Sequence, residues 1–374
     1  MSTYSETFHA LRPTAKVVSV PRAQVDLRRG ARLGMGVFVP LAAGVSLGHP
    51  EYGVFAALGA LTAGFAATTG ARAGQHAHAV LLSGLGMAVS GFAGAALAQK
   101  PWALLGVLVA ATFAAGLCGV FSQRFGIACL QWPVALLLAT TTPAQPVQRA
   151  VLLLAGGAWQ ALLTALDRRG ESTETNRDSD GRRHGRGLGH RDGNGAGEVR
   201  SGEYKRRLRS IGTRLRAGLD PRFQHGQHVL RLTVVTALTH VIAVSLAVSH
   251  GYWAAVTALL VLKPGHTATI RRGLDRIGGT VFGVLFGVVL ASVGALGNVP
   301  LLLVAAVTIC LAYTVFTANY FVFCVFLTGF VVLLLDLLGQ SASETAVSRL
   351  VATALGGTIA LVASHIRPQA RPNG

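Results

Sequence analysis

The chain has 374 residues, of which 51% are hydrophobic and only 13% are charged, and its formal net charge is +18. A soluble domain carries roughly 25% charged residues, so this composition excludes an ordinary soluble protein and predicts a polytopic membrane protein. The net charge does not indicate nucleic-acid binding, because the arginines concentrate in an N-terminal arm, a central linker and a C-terminal tail, as a positive-inside bias would place them.

Apolar segments of membrane-spanning length recur along the chain between a polar arm, residues 1–30, and a tail, residues 367–374. Most segments are close to the roughly 20 residues that a helix needs to cross a bilayer, although Pro40 lies inside the first one. The sequence therefore predicts an all-α protein with about twelve transmembrane helices. The predicted spans cover residues 31–48, 52–71, 77–98, 101–121, 125–142, 147–166, 229–249, 251–263, 277–296, 299–318, 320–338 and 346–366.

The two groups of six spans, within residues 31–166 and 227–366, repeat each other at an offset of 200 residues. Because six is an even number, both groups start on the same side of the membrane, which predicts two tandem parallel repeats. Chance alignment of helices rich in Ala, Gly and Val is the alternative. The matching positions are Pro21-Arg22 with Pro221-Arg222, Tyr52 with Tyr252, Thr69 with Thr269, Arg72 with Arg272, Arg149 with Arg349, and Gly156-Gly157 with Gly356-Gly357.

Loop charge predicts the orientation. Loops that carry Arg124 and Arg271 are richer in cations than the opposite loops, to which we assign Glu51 and Arg149. The richer side is expected to be cytoplasmic, together with both termini and the linker.

The linker, residues 167–226, divides into two parts. Residues 167–202 mix Gly, Arg and Asp with almost no large apolar residue, which predicts disorder. In EYKRRLRSIGTRLRAGL, which ends at Leu219, the apolar residues fall on one helical face and Arg and Lys on the rest. This pattern predicts a short basic amphipathic helix on anionic lipid headgroups, with packing against the cytoplasmic loops as the alternative.

The stretch 251–287 carries the strongest functional signal. An aromatic pair opens a short apolar run, which Lys263-Pro264-Gly265 then interrupts, and such an interrupted segment is a pointer to a transport site. The basic start of the next helix is suited to organic anions, because Thr hydroxyls and helix N-termini donate to oxyanions and Arg binds carboxylates bidentately. The alternative is that these are the cations of any cytoplasmic loop. The candidate substrate-binding residues are Tyr252, Trp253, Lys263, Thr267, Thr269, Arg271, Arg272 and Arg276.

Two ionisable residues inside spans are candidates for proton coupling. Asp336 is surrounded by apolar sequence in VVLLLDLLG, and the alternative is a solvated aspartate near the interface. His240 lies in the middle of TALTHVIAVSL, where a histidine can relay protons near neutral pH, and a hydrogen-bonded structural histidine is the alternative.

Other patterns indicate packing or exclude chemistry. Small residues four positions apart, at Gly279, Gly283 and Gly287 and at Gly86, Ser90 and Gly94, predict close helix contacts. The four cysteines lie in apolar stretches without metal spacing, and the sequence contains no P-loop and no nucleophile motif. We therefore expect no metal, no cofactor and no enzymatic activity.

The 251–287 stretch resembles the fusaric-acid-resistance and aromatic acid exporter family, also described as the integral membrane bound transporter domain. The similar residues are YWAAVTALLVLKP at 252–264, TATIRRGLDRIGGT at 267–280, and Gly283 and Gly287. The resemblance implies a bacterial cytoplasmic-membrane protein that exports aromatic carboxylic acids or similar xenobiotics, driven by the proton gradient. The first-half copy, YGVFAALGALTAGFAATTGAR, lacks the Lys-Pro, and the linker lacks the larger soluble domain of many relatives.

These observations lead to three hypotheses. The first is proton-coupled efflux of organic anions, the second is a passive organic-anion channel, and the third is a non-transporting membrane scaffold that recruits partners through the linker. The expected partners are the lipid bilayer, a small organic anion and anionic lipid headgroups, with a homo-oligomer as a further possibility and no nucleic acid.

Overall fold

The structure is a computed structural model that describes residues 25–67, 73–121, 123–141, 145–180, 216, 218–220 and 222–366. These residues form helices and turns and contain no β-strand, so the all-α prediction is confirmed for this part of the chain. In chain order the helices are α1 Leu27–Ser46, α2 Pro50–Ala67, α3 Ala73–Ala96, α4 Pro101–Phe121, α5 Gln123–Cys129, α6 Gln131–Leu138, α7 Pro146–Asp180, α8 Gln224–Ser245, α9 Tyr252–Val261, α10 His266–Ala291, α11 Asn298–Val315, α12 Tyr320–Asp336 and α13 Ala342–His365. We call α1–α7 the N-terminal half and α8–α13 the C-terminal half.

The helix bounds follow the predicted apolar segments with three differences. The predicted span 125–142 is divided at Leu130, because Pro133 removes the backbone N–H that would have continued the helix. Helix α10 already begins at His266, so the polar residues before the predicted span 277–296 are its first turns. Helix α7 continues to Asp180, past the predicted boundary at residue 166 and into the segment for which disorder was predicted.

Six helical segments in the described part of the chain are long and apolar enough to cross a membrane. They are Pro101–Phe121, Pro146–Leu166, Gln224–Ser245, His266–Gly294, Asn298–Val315 and Ala342–His365. Their outer faces carry large apolar side chains, among them Leu285, Val289 and Leu303, which are 60%, 70% and 54% exposed. Such a surface is suited to lipid, so the chain is a multi-pass membrane protein. The number twelve stays a prediction.

Helix α9 lies in the interior of the molecule. It has only ten residues, and Ala254, Ala258 and Leu259 are completely buried. A helix this short is about 15 Å long and cannot cross a bilayer by itself. So short a helix is compatible with a membrane protein because protein, and not lipid, surrounds its residues.

Corresponding helices of the two halves make corresponding contacts. Helix α2 packs on α7 and α9 packs on α13, while α3 packs on α6 and α10 packs on α12. Two further contacts cross between the halves, since α1 packs on α11 and α8 packs on α4.

Glycines permit the closest of these helix contacts. A Cβ atom at Gly156 would overlap the carbonyl oxygen of Ala56, and one at Gly356 would overlap that of Ala254. Gly283 of α10 faces the backbone of α12 at Val325 in the same way. The predicted packing role of the four-residue glycine spacing is therefore confirmed in α10.

Several predicted features lie outside the described residues. They are the N-terminal arm up to residue 24, Thr69, Arg72, linker residues 181–215 with most of the amphipathic segment, and the tail 367–374.

Candidate functional site

The Lys-Pro-Gly break between α9 and α10 is held by hydrogen bonds to its backbone. The Thr269 hydroxyl accepts a hydrogen bond from the Lys263 backbone N–H at 3.0 Å and lies 2.9 Å from the Gly265 carbonyl oxygen, to which it donates. The Arg231 guanidinium donates to the carbonyl oxygens of Lys263 and Pro264, at 3.0 and 3.2 Å. Because these bonds occupy the Thr269 hydroxyl proton, they favour a structural role for this residue.

The predicted basic residues after the break divide between two faces of α10. Thr267 and Arg271 are exposed. Arg272 and Arg276 lie one helical turn apart on the face that meets α12, where the Arg272 guanidinium is 3.4 Å from the centre of the Tyr320 ring. Arg276 is only 2% exposed. The predicted set therefore divides into exposed residues and residues that face α12.

Arg276 lies beside a second buried arginine, Arg349 of α13, which is 1% exposed. The Arg276 guanidinium contacts the Cys324 sulfur at 3.7 Å, and the Arg349 guanidinium lies 3.9 Å from the centre of the Trp253 ring. Helices α10 and α13 pack on each other, which brings the two positive charges into the same buried region. Within the described residues, no nitrogen of the Arg349 guanidinium has a hydrogen-bond partner.

A third buried arginine occupies the matching position of the N-terminal half. Arg149 of α7 is 1% exposed, donates to the Ala139 carbonyl oxygen and lies 4.3 Å from the centre of the Phe55 ring. Each half thus places a buried arginine of its last helix against an aromatic ring of its second helix. The assignment of Arg149 to an outer loop is wrong, because α7 has already begun at Pro146.

The remaining candidates are separate from the arginine pair. Asp336 is half-buried and lies beside Gly294, beyond the end of α10. Along α12 it lies about 18 Å from Cys324, which contacts Arg276.

His240 of α8 is 9% exposed, and its Nδ1 atom has no hydrogen-bond partner among the described residues. Tyr252 packs against Trp253, with ring centres 5.2 Å apart. Tyr252, Trp253, Arg276 and Arg349 therefore lie in one region of the interior. The two candidates for proton coupling, Asp336 and His240, lie outside that region.

Arg349 was recognised in the sequence only as a repeat position. A charged residue inside the predicted span 346–366 was itself a signal, since charges inside spans are costly. Its proximity to the start of the span made it resemble a residue of the outer loop.

Comparisons with known proteins agree with the motif. Residues 235–363 match the fusaric acid resistance protein-like family. Inner membrane protein YccS of Escherichia coli is 33% identical over 164 residues, which are 43% of this chain and 22% of that protein. An uncharacterized protein of Haemophilus influenzae is 32% identical over 143 residues, 38% of this chain and 20% of that protein. Uncharacterized protein ORF2 of Neisseria gonorrhoeae is 43% identical over 61 residues, 16% of this chain and 15% of that protein.

The chain thus spans about a fifth or less of the length of these relatives. No solved structure matches. The family match includes the break after α9 and both members of the buried pair, Arg276 and Arg349. Residues 235–363 of this membrane protein are therefore similar to the fusaric acid resistance protein-like family, in agreement with the resemblance of the 251–287 motif.

Proposed function

We propose that the protein transports small organic anions across the bacterial cytoplasmic membrane, and that its activity is proton-coupled efflux of aromatic carboxylic acids or related xenobiotics. The observation that carries this proposal is the buried pair, Arg276 and Arg349, which has no carboxylate partner among the described residues. The pair lies in the part of the chain that matches the family.

An anionic ligand accounts for a pair of buried cations better than packing does. Removing a guanidinium from water costs several kcal/mol, and two neighbouring cations add repulsion to that cost. A bound carboxylate would compensate both charges and accept bidentate hydrogen bonds. The aromatic rings that already face Arg349 and Arg272 would provide apolar contacts for the body of the ligand.

The exposed residues of α10 would act before the buried pair. Thr267 and Arg271 are exposed at the start of α10 and would attract the anion from the cytoplasm, with Lys263 and Arg272 on the way to Arg276. The hydrogen bonds of Thr269 would hold the backbone of the Lys-Pro-Gly break in its observed conformation. Tyr252 and Trp253 would line the outer part of the path, and Asp336, with His240 as the second candidate, would carry the proton.

Two structural arguments support a transporter built from tandem repeats. The contacts of α2 with α7 and of α3 with α6 have counterparts in α9 with α13 and α10 with α12. Arg149 and Arg349, which are matching repeat positions, each stack on an aromatic ring. Related halves around an internal site are a common plan among transporters.

Flux from liposomes tests the proposal. Purified protein is reconstituted into vesicles loaded with benzoate and related aromatic acids, and release is followed with and without an imposed pH gradient. Gradient-dependent release that Asp336→Asn removes supports proton-coupled efflux. Release independent of both the gradient and Asp336 supports the passive channel.

Absence of release from vesicles that contain folded protein would refute transport of these acids and favour the scaffold hypothesis. Deleting residues 167–202 then separates the two classes. A scaffold would lose its cellular phenotype on deletion, while a transporter would keep its flux.

A further inference from the structure

A cavity of about 440 Å³ lies between the two halves at the predicted outer end of the molecule. The N-terminal half contributes the start of α2 and the end of α6, and the C-terminal half contributes the start of α9 and the end of α12. Its volume lies in the range of small-molecule sites. We call it the inter-half chamber.

Each half contributes to the chamber an aromatic ring that has a buried guanidinium against it. Phe55 lines the chamber from the N-terminal half and has the Arg149 guanidinium 4.3 Å from its ring centre. Trp253 lines it from the C-terminal half and has the Arg349 guanidinium 3.9 Å from its ring centre. Aliphatic residues such as Val54, Leu334 and Leu338 form most of the remaining surface.

We propose that the inter-half chamber binds one flat aromatic monocarboxylate between the two arginine-backed rings. The rings and aliphatic walls would hold the body of the ligand by offset stacking and burial. A buried guanidinium against each ring makes the chamber electrostatically positive, since buried charges are screened less than exposed ones. Arg349, whose guanidinium nitrogens are unpartnered among the described residues, would bind the carboxylate when the Trp253 ring turns aside. This inference rests on the proposed transport of organic anions and assigns its binding site.

Among the residues that line the chamber, Glu51 is exposed and therefore lies at the rim, while His250 and Tyr252 are partly buried. The Glu51 carboxylate is 3.4 Å from the Nδ1 atom of His49, so a protonated imidazole would compensate its charge. Glu51 is the only carboxylate among the chamber-lining residues of the described chain, and most of the other lining residues are apolar.

Equilibrium binding in lipid nanodiscs tests the assignment without requiring transport. Benzoate is compared with its uncharged isostere benzamide and with acetate, which lacks the ring. The expected result is saturable benzoate binding at least tenfold tighter than that of either analogue. Arg349→Met should weaken benzoate binding at least tenfold and leave benzamide binding within about twofold.

A steric variant locates the site. Leu338→Trp fills the chamber and should weaken benzoate binding at least tenfold, whereas Leu303→Trp, on the exposed face of α11, is the matched control and should bind benzoate as the parent does. Thr141→Trp fills the chamber from the other half and replaces Leu338→Trp if that variant fails to fold.

The outcomes separate this assignment from the proposed function. Benzoate binding that is unaffected by both chamber-filling variants overturns the chamber assignment, even if liposome flux of benzoate persists. Absence of saturable benzoate binding to folded protein, or equal binding of benzamide, overturns the ligand class. Chamber-dependent binding without any flux in liposomes supports the chamber and refutes transport.

Discussion

Replacing Arg349 by methionine should stabilise the ligand-free protein while it removes anion binding. The guanidinium is 1% exposed, and its three nitrogen atoms have no hydrogen-bond partner among the described residues. Burying a guanidinium without a hydrogen-bond partner costs several kcal/mol, and the stacking on Trp253 returns about 2 kcal/mol in a desolvated setting. Methionine fills most of the same space without charge, so we expect a gain of about 1–4 kcal/mol.

The measurement is the thermal midpoint of detergent-solubilised protein, followed by the loss of the monodisperse peak on size-exclusion chromatography after heating. A gain of this size should raise the midpoint by a few degrees. Arg271→Met is the matched control, because Arg271 is exposed on α10 and should change stability by less than about 0.5 kcal/mol. If Arg349→Met lowers the midpoint clearly more than the control does, the arginine is a structural element and the reasoning is refuted.

Three further predictions concern helix packing, the break and the chamber rim. Gly356→Ala should destabilise the protein by about 1–3 kcal/mol, because the new methyl group would overlap a carbonyl oxygen of α9, while Gly106→Ala, which faces open space, should not lower the thermal midpoint. Thr269→Val should cost about 1–3 kcal/mol by leaving a backbone N–H of the break unpaired, whereas Thr267→Val at an exposed position should stay within about 0.5 kcal/mol in the same assay. Glu51→Gln should tighten benzoate binding in nanodiscs by up to about fivefold at low salt, and unchanged affinity at every salt concentration would contradict an electrostatic role of the rim.

The sequence determined most of the helices because their apolar segments are separated by loops with clear turn and charge signals. The break after α9 was predicted from Lys263-Pro264-Gly265, and the structure places it as expected. The division at Leu130 was missed, since Pro133 lies inside an apolar run that looks continuous.

The site was only partly predictable, because its residues come from helices that are distant in the chain. The sequence predicted Arg272 and Arg276 as part of the basic start of a helix, but it could not show that they meet protein and not water. Pairing with Arg349 depends on the packing of α10 against α13, which local sequence does not specify. The chamber depends on both halves and has no signature in either one.

The crossed contacts of α1 with α11 and of α8 with α4 have a consequence for motion. The first helix of each half packs on the fourth helix of the other half. A rigid-body separation of the halves would therefore break both of these contacts. A simple rocking of one half against the other is therefore disfavoured. In the proposed transport cycle, access to the interior would change through smaller movements, such as rotation of Trp253 or displacement of the short α9, while the contacts between the halves are kept.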